Sequence, residues 1–123
     1  MAKIIEYEIK GDPNGQKKYP LLRLEAADNF VSRFRGLMLR RSLDGCDGLL
    51  LSPCSSVHMC FMRFPLDIVY LDEDCRIIKI VPRLRPWLGM SCCLSAKAAV
   101  ELPAGKAAEL GLAEGYAISP RPR

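Results

Sequence analysis

Apolar and polar residues alternate with a period of two near the start of the chain. Ile5, Tyr7 and Ile9 share one face of an extended segment, as expected for a half-buried β-strand. Residues 11–15 then supply Gly, Asp, Pro and Asn, which favour turns, before a second extended run at residues 19–24. The two runs predict an N-terminal β-hairpin.

Shorter runs farther along the chain also have the composition of strands. The run that starts at Val57 places His58 on the face opposite to Val57 and Met59. Two runs flank an Asp-rich turn at residues 72–75 and predict a hairpin. The strands predicted in this part of the chain are residues 49–51, 57–62, 67–72, 76–81, 98–102 and 115–119. The central sheet is therefore expected to be antiparallel.

The period changes to that of a helix over residues 28–40. Phe30, Phe34 and Leu37 fall within one apolar stripe about 100° wide, and the side chain of Asp28 can cap the first turn. This segment is predicted to be the main helix.

The remaining residues complete the expected architecture. A short helix is predicted over residues 104–110, where Gly111 ends it. Residues 82–96 lack a clear period and are expected to form the longest irregular connection. The elements together predict an α+β domain that is mostly antiparallel β, built as a curled sheet or small barrel with one main helix and one short helix.

Composition narrows the class of protein. A chain of 123 residues with 50% hydrophobic residues predicts one domain, residues 1–123, with a core that needs no disulfide or metal. The net charge of +4 favours anionic partners only weakly. No secretory signal and no long apolar run is present, and the six cysteines do not resemble a disulfide scaffold. A soluble, cytoplasmic protein without a membrane partner is expected.

Several motifs resemble a known family. They are RFRGLM at residues 33–38, PCSSVH at 53–58, FMRFPLDIVYLD at 61–72, RPW at 85–87 and VELPAG at 100–105. In order and spacing they resemble the bacterial and archaeal family called domain of unknown function 192, in its cytoplasmic form without a leader peptide, over roughly residues 18–118. The resemblance implies a small, largely β fold and no established activity. Cys75 and Tyr116 depart from the family pattern, which usually has Gly and Asp at these positions.

Candidate binding residues are polar residues that lie at the ends of the apolar predicted strands or between them. Arg63 and Asp67 flank the start of one predicted strand and Arg33 lies at the edge of the main helix. An Arg–carboxylate pair fixes elements relative to one another, but an Arg left partly open binds a ligand carboxylate or phosphate. Trp87, the sole tryptophan, either closes one end of the sheet as a lid or offers a stacking surface for a sugar, nucleobase or proline-rich peptide.

His58, the sole histidine, supports an alternative class. An enzyme would use His58 and Asp67 as an acid/base pair, with Arg63 stabilising a developing negative charge. A half-buried, hydrogen-bonded histidine is the simpler interpretation. A nucleophilic pair of His58 with Cys60 is not expected, because residues two apart on a strand have Cα atoms about 6.6 Å apart.

Metal binding has weaker support. Cys54, His58 and Cys60 have the ligand types that zinc prefers, with Cys46 or the pair at residues 92–93 as a fourth ligand. However, the chain has no C-x-x-C motif, and cysteines also serve as small buried apolar residues. No metal and no cofactor is therefore expected.

The sequence lacks the motifs of several other common functions. The arginines of residues 33–41 form a local basic patch without a nucleic-acid-binding motif, so a nucleic-acid partner is not expected. Phosphate-binding loops, zinc-protease and serine-hydrolase signatures are also missing from the sequence. The leading hypothesis is a non-catalytic binding or accessory module for a small anionic or carbohydrate-like ligand or a protein segment. Its predicted surface consists of Arg33, His58, Arg63, Asp67 and Trp87.

Overall fold

A computed structural model describes residues 3–11, 17–27, 46–59 and 64–122 of the chain. The elements in these ranges are, in chain order, β1 (Lys3–Lys10), β2 (Leu22–Ala27), β3 (Gly48–Leu51), β4 (Ser56–His58), β5 (Leu66–Leu71), β6 (Ile77–Leu84), β7 (Met90–Cys92), β8 (Ala98–Pro103), α1 (Lys106–Leu110) and β9 (Ala117–Pro120). The predicted main helix at residues 28–40 lies outside the described residues. No helix within the described ranges has the length and apolar character needed to cross a membrane.

One large sheet has the strand order β6-β5-β8-β3-β2-β1-β9. Its pairs are antiparallel except for β2 with β3, which run parallel. The sheet curls until its two edge strands meet at an isolated bridge between Arg76 and Ala117. Beside this bridge the Ile118 N–H donates to the Cys75 carbonyl at 2.9 Å. The prediction of a mostly antiparallel, curled sheet is confirmed, and that of a small barrel is confirmed only as far as this junction.

Two apolar clusters hold the sheet, one on each face of β5. Leu66, Ile68 and Tyr70 belong to one cluster, and Val69 and Leu71 belong to the other. Every residue of β5 is buried, because β6 and β8 flank this strand and an apolar cluster covers each of its faces. The ribbon formed by β4 and β7 contributes to the first cluster, because its neighbouring side chains Val57 and Met59 are buried there.

The boundaries of several elements differ from the predictions, among them those of β2, β4 and β9, which are Leu22–Ala27, Ser56–His58 and Ala117–Pro120 rather than residues 19–24, 57–62 and 115–119. The predicted hairpin at residues 67–81 is present, but β6 continues to Leu84. Residues 82–96 are not one irregular connection, because they contain the end of β6 and all of β7. A strand of three residues is too short to display a period, so the sequence pattern could not reveal β7. The short helix begins at Lys106 rather than at residue 104.

Candidate functional site

Asp67, at the start of β5, is one of the predicted site residues and is almost completely buried, with 1% of its surface exposed. Its Oδ1 accepts a hydrogen bond from the Arg83 N–H at 2.9 Å. Its Oδ2 accepts from the N–H groups of Gly105 at 3.0 Å and Ala107 at 2.9 Å. The carboxylate therefore joins the start of β5 to the end of β6 and to the first turn of α1. Hydrogen bonds from three backbone donors stabilise a buried carboxylate, since they replace its lost hydration.

Arg83 and Gly105 both have left-handed backbone conformations, with φ of 50° and 92°. A Cβ atom on Gly105 would lie 3.2 Å from Nη2 of Arg83, so the guanidinium lies directly over this turn. The Asp67 side chain fixes both residues through their N–H groups. It thereby sets the direction in which the chain leaves β6 towards Trp87.

Residues 85–89, between β6 and β7, are held by a dense set of backbone hydrogen bonds. The Trp87 N–H donates to the Met59 carbonyl at 2.8 Å, and the Met59 N–H donates to the Gly89 carbonyl at 2.9 Å. The Gly89 N–H donates to the Arg85 carbonyl at 3.0 Å, an approach so close that a Cβ on Gly89 would clash with that oxygen. Because Met59 is fully buried, these bonds anchor Trp87 to the core through its backbone.

Four large apolar side chains project from this anchored segment, from the first residue of β7 and from the turn after β7. Trp87 is 51% exposed, Leu88 85%, Met90 77% and Leu94 88%. We call these four residues the apolar loop surface. Single exposed apolar side chains are ordinary, but several within eight residues of chain are typical of an interaction site.

The charge around the apolar loop surface is of one sign. From Cys75 to Val100 the chain contains no Asp or Glu but five basic residues, namely Arg76, Lys79, Arg83, Arg85 and Lys97. All five are exposed. Arg83 and Arg85 precede Trp87 in the chain and Lys79 contacts Cys92, whereas Arg76 and Lys97 lie near Asp72 at the other end of β5. The three basic residues beside the loop favour an anionic partner there.

The backbone of β7 has hydrogen-bonding groups that do not pair with β4. The Cys93 N–H donates to the Ser55 carbonyl, and Ser91 faces Val57 in the same register. The alternation of an antiparallel ladder then turns the N–H and carbonyl groups of Met90 and Cys92 away from β4. Lys79 Nζ donates to the Cys92 carbonyl at 3.1 Å. No strand among the described residues pairs with this second edge of β7.

Three of the predicted site residues have described positions. Trp87 lies on the apolar loop surface, and its exposure favours a contact surface over a lid. His58 is the register partner of Met90 and so belongs to the same ribbon, but only its backbone is described. Asp67 lies at the base of the loop through its bond to Arg83. Arg33 and Arg63 lie outside the described residues.

These positions bear on the alternative hypotheses. An acid/base pair needs a carboxylate oxygen that faces its partner, whereas both oxygens of Asp67 accept backbone N–H bonds. Within the described part of the chain, no three His, Cys, Asp or Glu side chains are grouped so as to hold a metal ion. The zinc set considered as an alternative includes Cys60, which lies outside that part. Cys54 is buried, and its Sγ donates to the Ser56 carbonyl at 3.1 Å.

Sequence reasoning missed most of the apolar loop surface. Leu88, Met90 and Leu94 carry no period that distinguishes them from core residues, so their exposure depends on the tertiary fold. The signal that was available is the charge asymmetry, because a stretch of 26 residues without an acidic side chain is visible in the sequence alone.

Comparisons with known proteins agree with the fold. The family model for domain of unknown function 192, described as "Uncharacterized ACR, COG1430", matches residues 12–120. A UPF0127 protein of Thermococcus sibiricus is 33% identical over 87 residues, 68% of this chain and 56% of the relative. A UPF0127 protein of Thermococcus gammatolerans is 34% identical over 101 residues, 78% of this chain and 65% of the relative. The chain thus spans less than two thirds of either relative, and both are archaeal rather than bacterial.

A solved structure shares the architecture. The crystal structure of a protein of unknown function from Novosphingobium aromaticivorans superposes with a TM-score of 0.81 and 24% sequence identity, covering 94% of this chain and 84% of that protein. At this identity the likeness concerns the fold alone.

Proposed function

The chain belongs to the domain of unknown function 192 family, and from that premise we propose that it is a non-catalytic binding module that docks an acidic, apolar segment of a partner protein. The docking site is the apolar loop surface together with the open edge of β7. The observation that carries the proposal is the exposure of Trp87, Leu88, Met90 and Leu94 on a segment that backbone hydrogen bonds hold in place.

The anchoring of the loop supports binding over a purely structural role. A partner that meets a preformed surface loses less conformational entropy than one that must order it. The hydrogen bonds that the Trp87 N–H donates to Met59 and that the Met59 N–H donates to Gly89 supply that order. The exposed Leu, Met and Trp side chains are removed from water only when a partner covers them. Each Å² of apolar surface that is covered contributes about 25 cal/mol to the free energy of binding.

Two features favour an extended acidic segment among the protein partners. The basic residues beside the surface, Lys79, Arg83 and Arg85, attract carboxylates. The outward N–H and carbonyl of Met90 and the outward N–H of Cys92 can pair with the backbone of an added strand, in which alternate side chains then meet the surface. A membrane or a nucleic acid offers no backbone donors and acceptors at strand spacing, so these edge groups favour a protein segment.

The sole tryptophan makes the proposal measurable, because Trp87 emission reports on this surface alone. The probe is a short synthetic peptide of alternating Glu and Leu residues, with an alternating Lys and Leu peptide as the charge control. We expect the acidic peptide to shift the Trp87 emission to shorter wavelength in a saturable titration. Replacing both Leu88 and Leu94 by Ser should weaken that titration about tenfold, as for truncated interface anchors.

Leu21→Ser is the matched control, because Leu21 is also an exposed leucine but lies before β2, away from the loop. It should leave the titration unchanged. Equal binding of the basic peptide, or an equal effect of Leu21→Ser, would overturn the proposal. So would a saturable shift that appears only with vesicles of phosphatidylcholine and phosphatidylserine, or only with polyuridylate.

We further propose that the module works in the cytoplasm. The thiols of Cys75, Cys92 and Cys93 form no disulfide, and the cytoplasm is the compartment in which thiols stay reduced. This location also agrees with an exposed Cys92 next to the docking surface.

A further inference from the structure

A cleft of about 240 Å³ opens at the end of β5 that is remote from Asp67. Its walls include the apolar side chains of Leu50, Leu71 and Ile118. Pockets that enclose drug-sized ligands measure about 300–1,000 Å³, so this cleft suits a smaller molecule. The apolar loop surface contributes no residue to it, and the proposed peptide docking does not use it.

The hydroxyl of Tyr7 is the polar group that suggests ligand binding in this cleft. Tyr7 lines the cleft and only 6% of its surface is exposed. Its hydroxyl has no hydrogen-bond partner among the described residues and is not one of their fully buried unpaired polar atoms. It is therefore open to the cleft and can donate to a molecule that binds there. Burial raises the pKa of this phenol, so the hydroxyl keeps its proton and acts as a donor.

The charged groups at the cleft oppose one another. Lys97 contributes a positive charge, and Asp72 and Glu73 contribute negative ones. Oδ1 of Asp72 already accepts from the backbone N–H groups of Asp74 and Arg76, at 2.8 and 3.0 Å. Neither a net anion nor a net cation is favoured by this mixed set.

The thiol of Cys75 completes the polar lining. Its pKa is raised, first by burial and then by the carboxylates of Asp72 and Asp74. The thiol is therefore uncharged at neutral pH and behaves as a soft, weakly polar wall. A thiolate nucleophile is not favoured here.

We propose that the cleft binds a small uncharged molecule, an apolar ring or chain with one hydrogen-bond acceptor that receives the Tyr7 hydroxyl. The apolar walls hold the body of the molecule, and its acceptor replaces water at the Tyr7 hydroxyl. This site is independent of the proposed peptide docking, so either can fail without the other.

The test uses the full chain, benzamide as the probe and Cys75 as the reporter of occupancy. Benzamide has an apolar ring and an uncharged carbonyl acceptor, and a molecule of this size is expected to bind with a dissociation constant of about 1 mM. We expect it to slow the alkylation of Cys75 by iodoacetamide, measured by peptide mass spectrometry. Alkylation of Cys92, which does not line the cleft, should stay unchanged in the same sample.

Tyr7→Phe removes the hydroxyl and keeps the ring. We expect it to weaken the protection of Cys75 by about three- to tenfold, the effect of one uncharged hydrogen bond. Tyr116→Phe removes a tyrosine hydroxyl outside the cleft and should change nothing. Ala98→Leu adds bulk to the lining and should abolish protection, which provides a second test if Tyr7→Phe fails to fold.

Three results would overturn the proposal. One is no protection of Cys75 by benzamide at any concentration reached. Another is equal protection in the Tyr7→Phe variant. The third is stronger protection by benzoate or benzylamine than by benzamide, which would assign the cleft to a charged ligand.

Discussion

Asp67 connects three segments that are distant in the sequence. Its carboxylate receives the N–H groups of Arg83, Gly105 and Ala107, which lie 16, 38 and 40 residues away. Gly105 precedes α1 and Ala107 lies in its first turn. The N–H groups at the start of a helix have no acceptor within the helix. No side chain of that turn caps the helix, so Asp67 supplies the cap from a neighbouring strand.

Asp67→Asn tests this function. An Asn side chain replaces one acceptor oxygen by an NH₂ group, which must then face at least one backbone N–H donor. Leaving buried partners unsatisfied costs about 1–3 kcal/mol each, so we expect a loss of about 2–4 kcal/mol in the free energy of unfolding. Urea unfolding followed by circular dichroism measures it. Asp74→Asn, on an exposed turn residue, should stay within about 0.5 kcal/mol, and an equally small loss in Asp67→Asn would contradict our account.

How far single residues were predictable depends on the range of their contacts. Asp67 was identified from the sequence as a polar residue at the start of a strand. Its backbone partners could not be identified, because they are distant in the sequence and only the tertiary fold brings them together. Trp87 was identified because it is the sole tryptophan. The hydroxyl of Tyr7 was missed, since its alternation with Ile5 and Ile9 marks it only as a core residue.

At the scale of elements, local patterns predicted most strands and few pairings. The runs at residues 49–51 and 98–102 became β3 and β8 as expected. The parallel pairing of β2 with β3 was missed, because it joins strands separated by the whole segment 28–47. Such a long connection leaves no local signature of the orientation in which the strands meet.

The contact between β3 and β8 depends on Gly48. A Cβ atom at this position would lie 2.5 Å from the Glu101 carbonyl oxygen and 2.7 Å from Cδ2 of Leu102. We expect Gly48→Ala to destabilise the fold by about 2–3 kcal/mol, the range for overpacking a core. Thermal unfolding followed by circular dichroism measures the loss.

Gly115→Ala separates this clash from backbone strain. Gly115 has φ of 90° and nothing lies within 4 Å of its added Cβ, so only the strain of about 1–2 kcal/mol is expected. A loss in Gly48→Ala no greater than that in Gly115→Ala would show that the two strands can separate at little cost.

At the scale of the whole molecule, the core encloses several groups that ionise only at alkaline pH. Burial raises the pKa of the phenols of Tyr7 and Tyr70 above the usual value. Burial also raises the pKa of the Cys75 thiol. In each case the uncharged form is favoured in the folded protein, whereas the unfolded chain ionises at the ordinary values of about 8.5 for Cys and about 10 for Tyr.

The sign of the pH dependence follows from proton binding. Above the unfolded pKa values the folded state holds more protons than the unfolded state, so the free energy of unfolding decreases as the pH rises. We expect full stability below about pH 8 and a progressive loss towards about pH 11. Urea midpoints measured across this range provide the test.

Tyr70→Phe identifies one source of the alkaline loss. This variant removes a buried phenol, so its stability should fall less steeply above about pH 9 than that of the parent chain. Ser91→Ala is the control: it leaves the phenol in place but removes the hydroxyl to which Tyr70 donates at 3.1 Å. When Tyr70 ionises, the Ser91 hydroxyl can turn and donate to the phenolate, which lowers the pKa of Tyr70, so its removal should preserve or increase the alkaline loss. Equal slopes in Tyr70→Phe and the parent chain would show that this phenol ionises without opening the core.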